Sequence, residues 1–273
     1  MHEFASLDYQ IKSASEIYLP AFSKAAFYGR SVFTTVAVYR GKPFQWAKHW
    51  RRLTAGASRV GVDLSDFSER AIEASALALI SRNNIRKGRL RFTFFDASAS
   101  EIWSPAAKNK TSLLMATADF RRVADNFQLT TSPFQINSKS PLVNLKSGNY
   151  LENILALEEA RRRGFDEAAR LNEKGEIVSA AMANIFWASR RAIFTTPLET
   201  GALEGTTRSF VIENFAVSEK KAKIAELKSA DEIFLTSAGL GVAKVEKFED
   251  KIFTESPVFS RVREFFDNFV QKL

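Results

Sequence analysis

A chain of 273 residues, 45% hydrophobic and 26% charged, has ordinary globular composition and enough length to bury a sizeable core as one large domain or two smaller ones. It has no cysteine, which excludes disulfides, thiolate metal sites and a cysteine nucleophile, and its only histidines, His2 and His49, argue against a histidine-based metal site or a Ser-His-Asp triad. The formal charge of +8 is scattered over short runs such as Arg51-Arg52 and Arg121-Arg122, the pattern of solvated helix faces and of attraction for small anions, so no nucleic-acid partner is expected.

From the N-terminus, MHEFASLDYQIKSASEIYLP carries acids and lacks an apolar centre, so it does not read as a signal peptide. No run of about 18 apolar residues suggests a membrane span. With cysteine absent, a cytoplasmic location is the expectation. Ser31 to Tyr39, SVFTTVAVY, is rich in β-branched and aromatic residues and reads as a strand. Arg40 to Pro43 makes a turn, and Phe44 with Trp46 reads as a short returning strand. Ala47 to Val60 reads as a helix with Leu53 and Ala57 inward, ended near Gly61. Phe67 to Asn83 is a second helix, with Ile72, Ala76, Leu79 and Ile80 at helical spacing. Gly88 to Asp96 and Ser112 to Ala118 read as strands.

Asp119 to Asn126, DFRRVADN, is polar between two apolar runs and reads as a linker. Phe127 to Phe134 opens a second set of strands. Ser147 to Arg163 reads as a helix carrying Leu151, Ile154, Leu155 and Ala160, ended by Gly164. Glu167 to Asn172 and Glu176 to Trp187 read as strands around a turn. Ala192 to Thr195 and Glu232 to Thr236 are further strands, and Thr206 to Ala216 and Val258 to Val270 are helices. The fold class is α+β, with an N-terminal domain over 1–120 and a C-terminal domain over 121–273.

Three places carry candidate chemistry. Lys146, in VNLKSGNYL, lies among apolar and small residues, and burial lowers a lysine's pKa and frees the amine to attack a carbonyl. Gly205-Thr206-Thr207 opens an apolar helix whose first amides suit a phosphate. Arg52 follows His49 by three residues. Each has a plain structural alternative: a surface lysine, an ordinary helix cap, an exposed cation.

In this order, the H-x-x-R-L of His49–Leu53, the LKSGNYL around Lys146, the A-N-I-F-W of Ala183–Trp187 and the L-x-G-T-T-R of Leu203–Arg208 resemble the fold-type IV, or class IV aminotransferase, family of pyridoxal-phosphate enzymes. That family holds branched-chain aminotransferases, D-amino-acid aminotransferases and aminodeoxychorismate lyases. The resemblance spans about Phe27 to Val245. It implies a two-domain architecture like that of the D-amino-acid aminotransferases, a homodimer, and pyridoxal 5′-phosphate as cofactor. It implies that Lys146 bonds the cofactor and shuttles the substrate's α-proton. Arg52, Thr206 and Thr207 would hold the phosphate, with Ser237 in LTSAGLGV adding a contact. Tyr150 would reach the cofactor phenolate.

Two departures bear on activity. A glutamate facing the pyridine nitrogen stands, in the transaminases, five residues before the asparagine of A-N-I-F. Here that position is Ser179. Glu176 is offset from it by three residues and so points to the opposite strand face. Asp96 stands where D-amino-acid aminotransferases place a carboxylate-binding arginine. Phe33-Thr34-Thr35 resembles the F-T-T of the lyases, which makes Thr34 a candidate substrate residue. The resemblance therefore implies an aminodeoxychorismate lyase-like enzyme of folate biosynthesis, releasing pyruvate and 4-aminobenzoate. A branched-chain or other aminotransferase, or a non-catalytic relative, is the alternative. No metal is expected.

Overall fold

The computed structural model describes residues 1–99 and 110–273. They divide into two compact units. The first comprises Met1–Phe120, Leu145–Asn149 and Leu273, and the second Arg121–Asn144 and Tyr150–Lys272.

The first unit contains β1 (Phe4–Leu7), β2 (Gln10–Ser13), α1 (Lys24–Tyr28), β3 (Ser31–Tyr39), β4 (Lys42–Pro43), α2 (Trp46–Val60), α3 (Glu69–Arg82), β5 (Lys87–Asp96) and β6 (Thr111–Ala118). Its strands form one six-stranded sheet in the order β2-β1-β6-β5-β3-β4. The β-branched run of β3 pairs with β5 along its whole length, from Ser31 opposite Phe95 to Tyr39 opposite Lys87. Trp46 opens α2 and does not continue a strand, because the returning strand is only Lys42–Pro43 and Gln45 turns into the left-handed region at φ 57°. Along α2 the buried residues Trp46, His49, Leu53, Gly56 and Ala57 recur at helical spacing, so that face turns inward. Gly61, at φ 68°, ends the helix in a conformation that glycine adopts without penalty. Ser68 caps α3 by accepting from the Ala71 N–H at 3.2 Å. Leu53, Ile72 and Leu79 of the helices pack with Val36, Leu90, Phe92 and Met115 of the sheet. Each such buried side chain contributes about 1.5–3 kcal/mol.

Leu145–Asn149 belongs by its contacts to this first unit, although residues 121–144 before it and Tyr150 after it belong to the second. Lys146 is therefore grouped with the first unit, whereas a linear division at residue 120 would group it with the C-terminal portion. The Phe33 N–H donates to the Lys146 carbonyl at 2.8 Å, and the Gly148 N–H donates to Ser31 O at 2.9 Å. Residue 148 must be small, since a Cβ there would lie 2.0 Å from Ser31 Oγ. This extended pairing explains why the helix expected from Ser147 starts only at Leu151.

The second unit contains β7 (Gln128–Thr131), α4 (Leu151–Arg162), β8 (Glu167–Leu171), β9 (Ile177–Ala180), β10 (Asn184–Ser189), β11 (Ala192–Thr195), α5 (Thr206–Asn214), β12 (Val217–Glu219), α6 (Ile224–Ser229), β13 (Glu232–Ser237), β14 (Gly241–Lys244), β15 (Lys247–Phe248), β16 (Lys251–Ile252) and α7 (Pro257–Gln271). Two five-stranded sheets run β12-β11-β10-β13-β14 and β16-β15-β7-β8-β9. The apolar run read as one strand over Glu176–Trp187 breaks at Ala181–Ala183. Its halves, β9 and β10, join different sheets. Phe127, Ile177, Ile185, Trp187, Ile233 and Leu235 form a common core. Leu151 and Leu155 of α4 are exposed, and its buried residues are Ala156, Leu157 and Ala160. Among the described residues, no helix is long and apolar enough to cross a membrane.

Candidate active site

The sequence-predicted residues fall into two clusters, one in each unit. In the first, α2 turns His49 and Arg52 toward β3. An Arg52 Nη2 N–H donates to Thr34 Oγ1 at 2.8 Å, and that oxygen lies 2.7 Å from His49 Nδ1. Arg52 Nη2 is also 3.5 Å from the same ring nitrogen. A guanidinium can only donate, so Nδ1 is the acceptor, Thr34 gives it the hydroxyl proton, and the ring proton sits on Nε2. Burial, with the cations of Arg52 and Lys146, holds the His49 pKa well below its ordinary value. The imidazole is therefore neutral, as this bonding requires. Thr34 is wholly buried.

The Lys146 Nζ lies 4.6 Å from the centroid of the Phe33 ring, over which the Arg91 guanidinium carbon also sits at 3.6 Å. The residue as a whole keeps partial exposure, but its amine is enclosed. Desolvation pushes the Lys146 pKa well below that of an ordinary lysine, and the nearby Arg52 and Arg91 cations add to the effect. The arrangement is an enclosed amine whose charged form is disfavoured, beside a fixed cation. Phe33, His49 and Arg91 were not identified as site residues from sequence. The i, i+3 spacing of His49 and Arg52 on one helix face was the available signal for His49.

In the second unit, α5 starts at Thr206 with Gly205 as its N-cap residue. Gly205 carries no side chain to cap the helix, and a Cβ there would meet Asn184 Oδ1 at 2.0 Å. Asn184 Nδ2 donates to Leu203 O at 2.8 Å, fixing the preceding loop. Thr206 and Thr207 are buried. Arg208 donates to Thr196 O at 2.9 Å and pairs with Glu219, which anchors the first turn. Ser237 ends β13, and its Oγ accepts from the Gly239 and Leu240 N–H groups at 3.3 and 3.2 Å, so it shapes the loop of LTSAGLGV.

Ser179 lies on β9, half-buried, directly opposite Arg170 of β8. Tyr150 precedes α4 as its N-cap residue. Glu176 accepts from Asn172 Nδ2 at 2.8 Å and belongs to the turn before β9. Asp96, in the first unit, accepts from the Ser98 N–H at 3.0 Å and lies 3.7 Å from Lys24 and 3.8 Å from Arg30.

Residues 31–248 match the amino-transferase class IV family. An aminodeoxychorismate lyase of Bacillus subtilis (strain 168) is 27% identical over 241 residues, covering 85% of this chain and 82% of its own. A D-alanine aminotransferase of Staphylococcus aureus (strain N315) is 24% identical, with 97% of each chain covered. The branched-chain aminotransferase of the thermophilic archaeon Thermoproteus uzoniensis, solved with norvaline, has the same fold, with a TM-score of 0.91 at 23% identity over 100% of this chain and 96% of that one.

Proposed function

Because this chain belongs to the class IV aminotransferase family, whose cofactor is pyridoxal phosphate, we propose that it is a pyridoxal-phosphate enzyme with aminodeoxychorismate lyase-like activity on a small amino substrate. The observation that carries the proposal is the enclosed amine of Lys146, held on β3 with its pKa well below the ordinary value.

The donor set fits the cofactor. An aldehyde needs an uncharged amine, and burial of Lys146 favours that form. A phosphate dianion needs fixed positive charge and unpaired N–H groups. By the family resemblance, Arg52, braced by Thr34 and His49, would supply charge, and the start of α5 at Thr206 and Thr207 would offer amides in a positive field. By the same resemblance Ser237 would add a phosphate contact through its loop, and Tyr150 would bond the phenolate oxygen. The cofactor's contribution is an aldehyde that captures the substrate amine and a ring that accepts negative charge from the neighbouring carbon. Lys146 Nζ is the base for the substrate's α-proton, since His49 Nδ1 is committed to Thr34. Thr34, inaccessible itself, would act on substrate through the position of Arg52.

Three features favour the lyase: the F-T-T of Phe33–Thr35, Ser179 in place of a carboxylate, and the likeness to the Bacillus subtilis enzyme. An aminotransferase is the second reading, favoured by the near full-length likeness to the D-alanine aminotransferase. Homodimeric assembly, a cytoplasmic location and a place in folate biosynthesis are part of the same proposal. The test begins with the absorbance of purified protein before and after borohydride, followed by peptide mapping for a pyridoxyl label on Lys146. A labelled enzyme that releases pyruvate and 4-aminobenzoate from aminodeoxychorismate without a keto acid is the lyase. One that requires a keto acid is the aminotransferase. Full biological activity in Lys146→Ala would overturn the enzymatic reading altogether.

A further inference from the structure

We infer that Arg170 takes the place of the missing carboxylate at the cofactor's pyridine nitrogen, donating a hydrogen bond to it and holding it unprotonated. The inference rests on the cofactor reading above and concerns residues of the second unit alone.

Ser179 and Arg170 are direct partners in the antiparallel β8–β9 register, so their side chains leave the same face of the sheet. The next pair, Ala169 and Ala180, turns the other way, into the apolar core with Phe127 and Ile185. Arg170 is 1% exposed. Its Nη2 donates to Gln135 O at 3.1 Å and lies 3.5 Å from Glu152, while its Nη1 lies 3.5 Å from Asn153 Oδ1. The buried Nε has no hydrogen-bond partner among the described residues. Tyr150, the residue proposed for the cofactor phenolate, is near enough to act electrostatically on the same guanidinium. A buried cation with a spare donor thus sits beside Ser179 and close to Tyr150.

Arginine cannot give up its proton in this setting, so it can only donate. A second positive charge on an adjacent ring nitrogen would be repelled. The carboxylate arrangement does the reverse. An unprotonated nitrogen draws less charge away from the reacting carbon. That favours a substrate whose carbanion is consumed at once by expelling a leaving group, and it disfavours a reaction that must carry a proton onward to the cofactor.

The experiment loads wild type, Arg170→Met, Ser179→Ala and the double variant Arg170→Met/Ser179→Glu with pyridoxal phosphate labelled with 15N in the ring. It records the ring-nitrogen resonance at neutral pH and traps a parallel sample of each with borohydride. The expected wild-type signal is that of an unprotonated, hydrogen-bonded pyridine. Ser179→Ala leaves it there, Arg170→Met moves it downfield toward free pyridine, and the double variant moves it far upfield to the pyridinium position. A merely structural arginine would not produce this pattern. A pyridinium signal in the wild type, an unchanged signal in Arg170→Met, or the downfield move in Ser179→Ala would each overturn the inference while a label on Lys146 left the cofactor reading standing. Absence of that label from wild type would overturn both. Should Arg170→Met not fold, the wild-type position and Ser179→Ala still decide.

Discussion

Phe33 holds Lys146 twice, through a backbone N–H that donates to the Lys146 carbonyl at 2.8 Å and through a ring whose centroid is 4.6 Å from the Lys146 Nζ. The first contact sets where the amine starts, and the second keeps water from it. Phe33→Leu preserves the first and shrinks the second. It should cost about 1–3 kcal/mol of stability in urea unfolding. It should also raise the pH at which Lys146 becomes acylable, because desolvation is the leading cause of its lowered pKa. An unchanged acylation profile would show that the ring does not govern the amine.

Thr34 binds Arg52 and His49 with one oxygen. Thr34→Val removes that oxygen while keeping the shape, so the guanidinium and the ring nitrogen each lose one hydrogen bond, at about 1–3 kcal/mol. Thr34→Ser should restore most of the loss. Fluorescence titration with pyridoxal phosphate should show weaker binding in Thr34→Val than in Thr34→Ser if Arg52 grips the phosphate.

The cofactor-free protein should be more stable as Lys146→Met than as wild type at neutral pH. The sign follows from linkage. With its folded pKa far below the unfolded one, Lys146 binds fewer protons folded than unfolded between those values, so stability rises with pH across that window and neutral pH lies on its costly part. His49 behaves alike at lower pH: the wild type should lose stability as pH falls below the ordinary histidine range. Thermal melts of both proteins across pH check this, and the gap between them should narrow toward alkaline pH.

Glu167 is fully buried on β8, receives an Arg121 Nη1 N–H at 3.1 Å, and accepts the Met182 N–H at 3.1 Å. Burial raises its pKa, and Arg121 is the largest opposing influence. Arg121→Ala strands the carboxylate and should cost about 3–5 kcal/mol, whereas Arg121→Ala/Glu167→Gln should recover much of it. Urea unfolding of the pair measures the coupling.

The local frame was legible where side-chain chemistry decides it. The β-branched run of β3, the inward stripe of α2 and the glycine-ended helices follow from spacing and propensity. The partners of Lys146 were not legible, because they come from tertiary pairing: nothing near residue 146 in sequence says that it will lie along β3 with Phe33 beneath it. Likewise the apolar run from Glu176 to Trp187 contains no proline or glycine to mark its break, and only membership of two sheets separates Ser179 from Asn184. Arg170 looked like one more scattered cation until the strand register placed it opposite Ser179.

The excursion of Leu145–Asn149 into the first unit also limits how this chain could be dissected or rearranged. A fragment beginning after the polar segment Asp119–Asn126 would carry Lys146 but lack the strand that encloses it. The complementary fragment would carry the strand and an unfilled edge where the lysine segment belongs. Neither half is a heritable module for the reactive amine, so gene fission or domain shuffling at the most obvious linker would separate the nucleophile from the environment that makes it one.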